Sequence, residues 1–195
     1  MSRRKPKFST PELNQVKKEL RRTNYNAEYR RTLRSTFFAL VIVAAVAVLI
    51  AVLCLPVLQI NSNTMAPTLA EGDIVVCLKT TDIAPGDIAC FYIGNKLLVK
   101  RCIALPGQTV DMDKAGNLTV DGVALQEPYI MEAATGDTNL TYPFRVPDNR
   151  IFCVGDNRPS SVDSRNTAVG CISQEQLVGK VFFRVWPIPV FGPVY

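Results

Sequence analysis

The chain has 195 residues, 48% hydrophobic and 20% charged, with a formal net charge of +5, six cysteines and no histidine. Without histidine there is no Ser-His-Asp triad, no Cys-His dyad and no His-ligated zinc. Acid–base chemistry near neutral pH then falls to a lysine, a carboxylate, a tyrosine or a thiol of shifted pKa.

The length fits one domain of ordinary size plus an appendage, and the charge divides the same way. Residues 1–36 carry eleven Lys and Arg against three acids, a net of +8, whereas residues 59–195 carry eleven against fourteen, a net of −3. Between them, Phe37 to Leu58 is a run of 22 residues without a charge. At about 1.5 Å per residue, a helix of that length crosses a hydrocarbon core about 30 Å thick, and the run lacks the polar stripe of a buried soluble helix. It predicts one transmembrane helix over 37–58, left at Pro56, which cannot continue a helix. The basic segment is too long, and the apolar run too extended, for a cleaved signal peptide. The excess of positive charge before the span predicts a cytoplasmic N-terminus and an extracytoplasmic 59–195. Residues 10–34 predict a short helix with Thr10 as N-cap, Pro11 in its first turn and Glu12 beside it. Little aromatic interleaving and the adjoining span make this segment a solvated or lipid-facing tail rather than a nucleic-acid binder.

The outer part reads as mainly β. Short apolar runs bounded by turn residues predict strands at Ile74–Leu78, Ile88–Ile93, Leu97–Leu105, Leu118–Val120, Ile151–Val154 and Val178–Val185. Gly94-Asn95 and Asp121-Gly122 are hairpin signals. Residues 126–147 are polar and irregular, the most loop-like stretch. Cys77, Cys90, Cys102, Cys153 and Cys171 lie outside the span, odd in number and without CxxC spacing. They read as buried thiols acting as small hydrophobes, with one or two disulfides as the alternative that an oxidising compartment would permit. No metal site and no cofactor are expected.

One lysine stands apart. Lys79, Lys96, Lys114 and Lys180 sit at strand ends, in turns or beside glycine and read as solvated. Lys100 lies within an apolar strand, sharing a face with Leu98 and Cys102 while Arg101 points the other way. Two readings stand. Apolar surroundings depress a lysine pKa, and a drop of roughly 3 units makes a base working near pH 7–8; alternatively the side chain snorkels to the sheet edge. A lysine base needs a hydroxyl to activate. Candidates follow the span in Ile60-Asn61-Ser62-Asn63-Thr64-Met65-Ala66-Pro67-Thr68-Leu69, where Thr64 lies within about 20 Å of chain from Leu58.

Three segments, in order, resemble the bacterial type I signal peptidases, membrane-anchored Ser/Lys proteases. Ser62-Asn63-Thr64-Met65-Ala66-Pro67-Thr68-Leu69 with Gly72-Asp73 is similar to the family's Ser-x-Ser-Met-x-Pro-Thr-Leu box. Gly86-Asp87 through Val99-Lys100-Arg101 to Pro106-Gly107-Gln108 resembles the box that carries the lysine base. Gly155-Asp156-Asn157-Arg158 through Ser161, Asp163, Ser164 and Arg165 resembles the family's most specific signature. The resemblance runs from about residue 30 onward. It implies a signal-peptidase-like β-sheet domain on one anchor, with Lys100 as base, Ser62 and the residue-64 amide as oxyanion hole, Ser161 orienting the lysine, and Asp163 with Arg165 as a supporting ion pair. Ile60, Met65 and Val99 become walls of shallow substrate pockets. The implied partners are signal peptides of secretory precursors and membrane lipid, with no nucleic acid.

The departure is at the nucleophile, where the family's serine is Thr64. Threonine acts as nucleophile, or the protein binds signal sequences without cutting, as a binding or assembly module, or Ser62 takes over. Retention of Lys100, Ser161, Asp163 and Arg165 favours the first. A membrane-anchored regulator that cleaves one partner or itself is a further class.

Overall fold

The computed structural model describes residues 13–194. The expected cap residues Thr10, Pro11 and Glu12 lie outside the described residues. The chain divides at Ala51/Val52 into two compact units, each taken by itself.

The first unit is helical. Helix α1 runs unbroken over Leu13–Cys54, so the basic segment from Leu13 onward and the apolar run form one helix. The stretch Tyr29–Ile50 is 22 residues long with a mean hydropathy of 2.4, enough to cross a membrane. Lys17, Lys18, Arg21, Arg30, Arg31 and Arg34 are exposed. The helix ends earlier than Leu58, the end of the uncharged run. Pro56 bars the α region to Leu55 before it, and Val57–Gln59 is the first strand.

The second unit is built of twelve strands: β1 (Val57–Gln59), β2 (Ile74–Leu78), β3 (Ile88–Ile93), β4 (Lys96–Ala104), β5 (Thr109–Met112), β6 (Leu118–Val120), β7 (Val123–Ala124), β8 (Phe144–Arg145), β9 (Arg150–Val154), β10 (Ile172–Ser173), β11 (Leu177–Trp186) and β12 (Gly192–Pro193). One sheet orders β1-β2-β11-β3-β4-β9-β10, with β12 on β11, and a smaller one orders β7-β6-β5-β8. Every pairing is antiparallel. Both expected hairpins form. Gly94-Asn95 joins β3 to β4, and Asp121-Gly122 joins β6 to β7 with φ of 52° and 78°, the left-handed pair that a two-residue hairpin turn requires.

Three apolar clusters fill the unit. Ile60, Met65, Leu69, Val75, Cys77, Ile88, Cys90 and Val181 pack beneath the 60–73 loop. Ala89, Phe91, Cys102, Ile151, Cys153 and Ile172 form a second. The third joins the small sheet to β4 and β9 through Val110, Leu118, Phe152 and Val154. All five outer cysteines are buried free thiols. Cys77 and Cys90 reach each other from β2 and β3, Sγ to Sγ 2.9 Å. The hydrogen bond with the Cys77 thiol and burial push the Cys90 thiol far above its usual range, so Cys90 serves packing rather than nucleophilic chemistry.

Candidate active site

The 60–73 loop is closed at its base by two backbone bonds, Ile60 N–H to Asp73 C=O and Gly72 N–H to Ile60 C=O, each 2.8 Å. Met65 and Leu69 anchor it from below by complete burial in the cluster under the loop. Asn63 braces it from within, its Oδ1 accepting the Glu71 amide at 3.1 Å and its carbonyl accepting the Ala66 amide at 3.1 Å. A short polar tip is thereby held on an apolar base. Ser62 and Thr64 stand at that tip with their hydroxyls 3.2 Å apart.

Lys100 does not snorkel. It is 2% exposed on β4, opposite Ala89 of β3, and Nζ donates to Ser161 Oγ at 2.8 Å. Ser161 Oγ donates in turn to Asp163 Oδ2 at 2.6 Å. Burial lowers the Lys100 pKa from 10.5 to about 8. Asp163 opposes that fall, Arg165 adds to it and Asp156 opposes it again. Asp163 is wholly buried. Burial alone would raise its pKa, but the Arg165 fork and the Gly155 and Ser161 donors outweigh this and hold it below the usual carboxylate range. Arg165 binds both carboxylate oxygens, Nε to Oδ1 and Nη2 to Oδ2 at 2.9 Å each. Such a fork makes an unpaired buried charge unnecessary on either side.

The Gly155-to-Arg165 loop joins the Thr64 backbone to Ser161, the partner of Lys100. Asn157 N–H donates to Thr64 C=O at 3.1 Å, and Asn157 Nδ2 to Asn63 C=O at 3.1 Å. Gly155 lies between the two halves: a Cβ there would sit 2.2 Å from Ser161 Oγ and 2.5 Å from Thr64 C=O. Only a hydrogen fits, so the threonine backbone and the serine that holds the lysine approach through this gap.

The neighbouring face of the site is a groove of about 520 Å3 lined by Ile60, Ser62, Thr64, Met65, Leu98 and Val99, among others. Its floor is β4, which pairs with β9 only at Arg101, Cys102 and Ala104. Among the described residues, the Leu97–Val99 backbone therefore has no strand partner on that side.

The family model for signal peptidase, peptidase S26, matches residues 32–186. The chain belongs to this family. It is 38% identical over 147 residues to a probable signal peptidase I-1 of Synechocystis sp., covering 68% of this chain and 72% of that protein. A signal peptidase I of Bacillus caldolyticus is 38% identical over 149 residues, covering 68% and 80%. Signal peptidase I S of Bacillus subtilis is 32% identical over 174 residues, covering 83% and 94%. The domain is mainly β, preceded by one N-terminal apolar helix, as the sequence predicts.

The sequence-predicted residues of this signal-peptidase-family chain fall in one neighbourhood. Ser62 pairs with Thr64, Lys100 with Ser161, and Ser161 with Asp163, which Arg165 holds. Ile60, Met65 and Val99 line the groove beside Thr64. Other residues of the site carry roles that the sequence reading left unassigned. Arg101, expected simply to face away from Lys100, is equally buried: Asp156 takes its Nε at 2.9 Å and its Nη2 at 2.6 Å, and its guanidinium lies 3.9 Å from the Tyr129 ring centre. Arg158 binds Glu127, with Nη1 to Oε2 at 3.0 Å. These pairs span 55 and 31 residues, a separation that no local pattern records. Lys180, expected to be solvated, pairs with Asp87 at 3.1 Å.

Proposed function

We propose that this chain removes signal peptides from secretory precursors by acyl transfer, with Thr64 as nucleophile and Lys100 as base. The observation that carries the reading is Lys100 itself, buried, with a pKa of about 8, and bonded to Ser161, whose Oγ meets the Thr64 backbone across Gly155. About half of it is neutral at pH 8, where an exposed lysine is almost wholly charged.

At rest, Thr64 Oγ1 pairs with Ser62 and Lys100 with Ser161. In the reaction, the Thr64 hydroxyl turns to Lys100, gives up its proton and attacks the scissile carbonyl. The Ser62 hydroxyl is then free to donate to the developing oxyanion together with the residue-64 amide, each donor worth about 2.7–4 kcal/mol. Lys100, now an ammonium, protonates the leaving amine. A water deprotonated by the same lysine then releases the acyl group from Thr64. Because β-branching restricts χ1, the turn is harder for threonine than for serine. The Leu97–Val99 backbone, without a strand partner on the β9 side among the described residues, favours an extended substrate adding as a strand. Shallow walls at Ile60, Met65 and Val99 favour small side chains before the cut.

The +8 segment supports a cytoplasmic N-terminus and an extracytoplasmic peptidase domain. Exposed Trp186, Ile188, Val190 and Phe191, close together in the chain at the end of β11, support contact with lipid. An intact Lys100–Ser161–Asp163–Arg165 chain weighs against a role in binding alone.

Purified full-length protein is expected to process a secretory precursor in detergent or vesicles. Thr64→Ala is expected to abolish the product, and Ser62→Ala to lower the rate about 10^2- to 10^3-fold, the effect of one oxyanion donor. Processing that survives Thr64→Ala but not Ser62→Ala would assign the nucleophile to Ser62 instead.

A further inference from the structure

The irregular segment 127–136 is clamped at both ends. Glu127 is held by Arg158, and the Tyr129 hydroxyl donates to Glu127 at 2.9 Å while its ring packs on Arg101. Farther on, Arg165 Nη1 donates to the Ala134 and Thr135 carbonyls at 3.0 Å each. Gly136 then passes so close that a Cβ would meet Arg158 C=O at 2.4 Å. Three buried arginines thus fix a segment with no regular structure. What they leave projecting is its middle, where Met131 is 80% exposed and Glu132 is also exposed. Such exposure of a methionine on a fixed backbone is poor packing, yet it suits contact with varied apolar surfaces.

Met131 and Glu132 line a depression of about 280 Å3 together with Ala66, Asn157 and Pro159. Asn157 also binds the Asn63 and Thr64 carbonyls. One turn thus borders both spaces: Thr64 and Met65 line the 520 Å3 groove, and Ala66, the next residue, lines this depression. A peptide cut at Thr64 that fills the groove with the residues before the scissile bond has this depression, which begins at Ala66, as the adjoining space for the residues that follow. Asp156 and Arg158, which also border the depression, are each committed to a buried ion pair. Glu132 makes no ion pair among the described residues.

From this we infer that the depression is the binding site for the first residues after the cut, with Met131 as its apolar wall and Glu132 as a charge that disfavours acidic residues there. The inference rests on the peptidase reading above.

The test uses three precursor peptides that differ only at the second residue after the cut, carrying Lys, Gln or Asp. They are compared in wild-type protein and Glu132→Lys. Two quantities are read at low salt: kcat/KM, and Kd by fluorescence anisotropy of each labelled peptide. Wild type is expected to favour the Lys peptide over the Asp peptide by about three- to tenfold, the range of an exposed charge pair on each side of neutral. In Glu132→Lys the ratio is expected to invert, and 0.5 M salt to flatten it in both proteins. A Lys-to-Asp ratio that Glu132→Lys leaves unmoved in both readouts overturns the inference. If no peptide is cut but the Kd ratio inverts, the subsite stands and the catalytic reading fails. A uniform loss with every peptide would mark a structural effect of residue 132 and also overturn it.

Discussion

Lys100→Met is expected to lower kcat/KM for precursor cleavage by about 10^3-fold or more while raising thermal stability. The loss follows from removing the proposed base, since a positioned general base contributes roughly 10^2–10^4 and the lysine serves both half-reactions. The gain follows from proton linkage. Burial lowers the folded-state pKa of Lys100 from 10.5 to about 8, so between those values the unfolded chain holds more protons than the folded one. Stability contributed by this group therefore rises with pH across pH 8 to 10.5, by about 3 kcal/mol in all, and that amount is missing at neutral pH, where the buried group is charged. Methionine fills a similar volume with no charge to bury. Because neutral Lys100 is the active form, wild-type kcat/KM is expected to climb about tenfold per pH unit below pH 8 and level off above it. Cleavage assays from pH 6 to 10, alongside thermal melts at pH 7, check both signs. An active Lys100→Met, or a profile flat from pH 6 to 8, would contradict this.

Gly155→Ala is expected to be nearly as damaging to activity, for a different reason. The new methyl would overlap Ser161 Oγ and Thr64 C=O, at 2.2 and 2.5 Å. Neither neighbour can yield cheaply: Ser161 is held between Lys100 and Asp163, and Thr64 C=O accepts the Asn157 amide. Relief requires the Gly155–Arg165 loop and the Thr64 loop to separate, which moves the hydroxyl away from its base. A misplacement of about 1 Å costs roughly 10^2-fold in rate, and overpacking costs about 1–3 kcal/mol in stability. Folded protein with kcat reduced at least 10^2-fold is the expected pairing of circular dichroism and cleavage assay. Unchanged kcat would mean that the close approach at Gly155 does not set the spacing of the site.

The contrast between these two positions shows what could be read from the chain. Lys100 was visible because a charge inside an apolar strand breaks a local pattern. Strands β2, β3 and β6 were bounded to the residue because β-branched runs there end at turn-forming residues. Strand β1 was hidden: Val57 and Leu58 continue the apolar run of the helix, and only pairing with Val75 and Val76 of β2 makes them a strand. Strands β5 and β8 carry too few apolar residues to signal themselves and are fixed by pairing with each other. Gly155 belongs to a motif that the sequence displays, but part of the need for glycine comes from the Thr64 backbone, 91 positions away. The same holds for Arg101 and Arg158, whose carboxylate partners are supplied by loops.

The central claim is that Thr64 is a working nucleophile for Lys100, and side-by-side processing of one secretory precursor by the wild-type chain and Thr64→Ser tests it most directly. The serine hydroxyl lacks the methyl and turns more freely from Ser62 to the lysine, so both proteins are expected to cut at the same site, the serine variant faster. A wild type that yields no product, whether Thr64→Ser cuts or not, would contradict the claim.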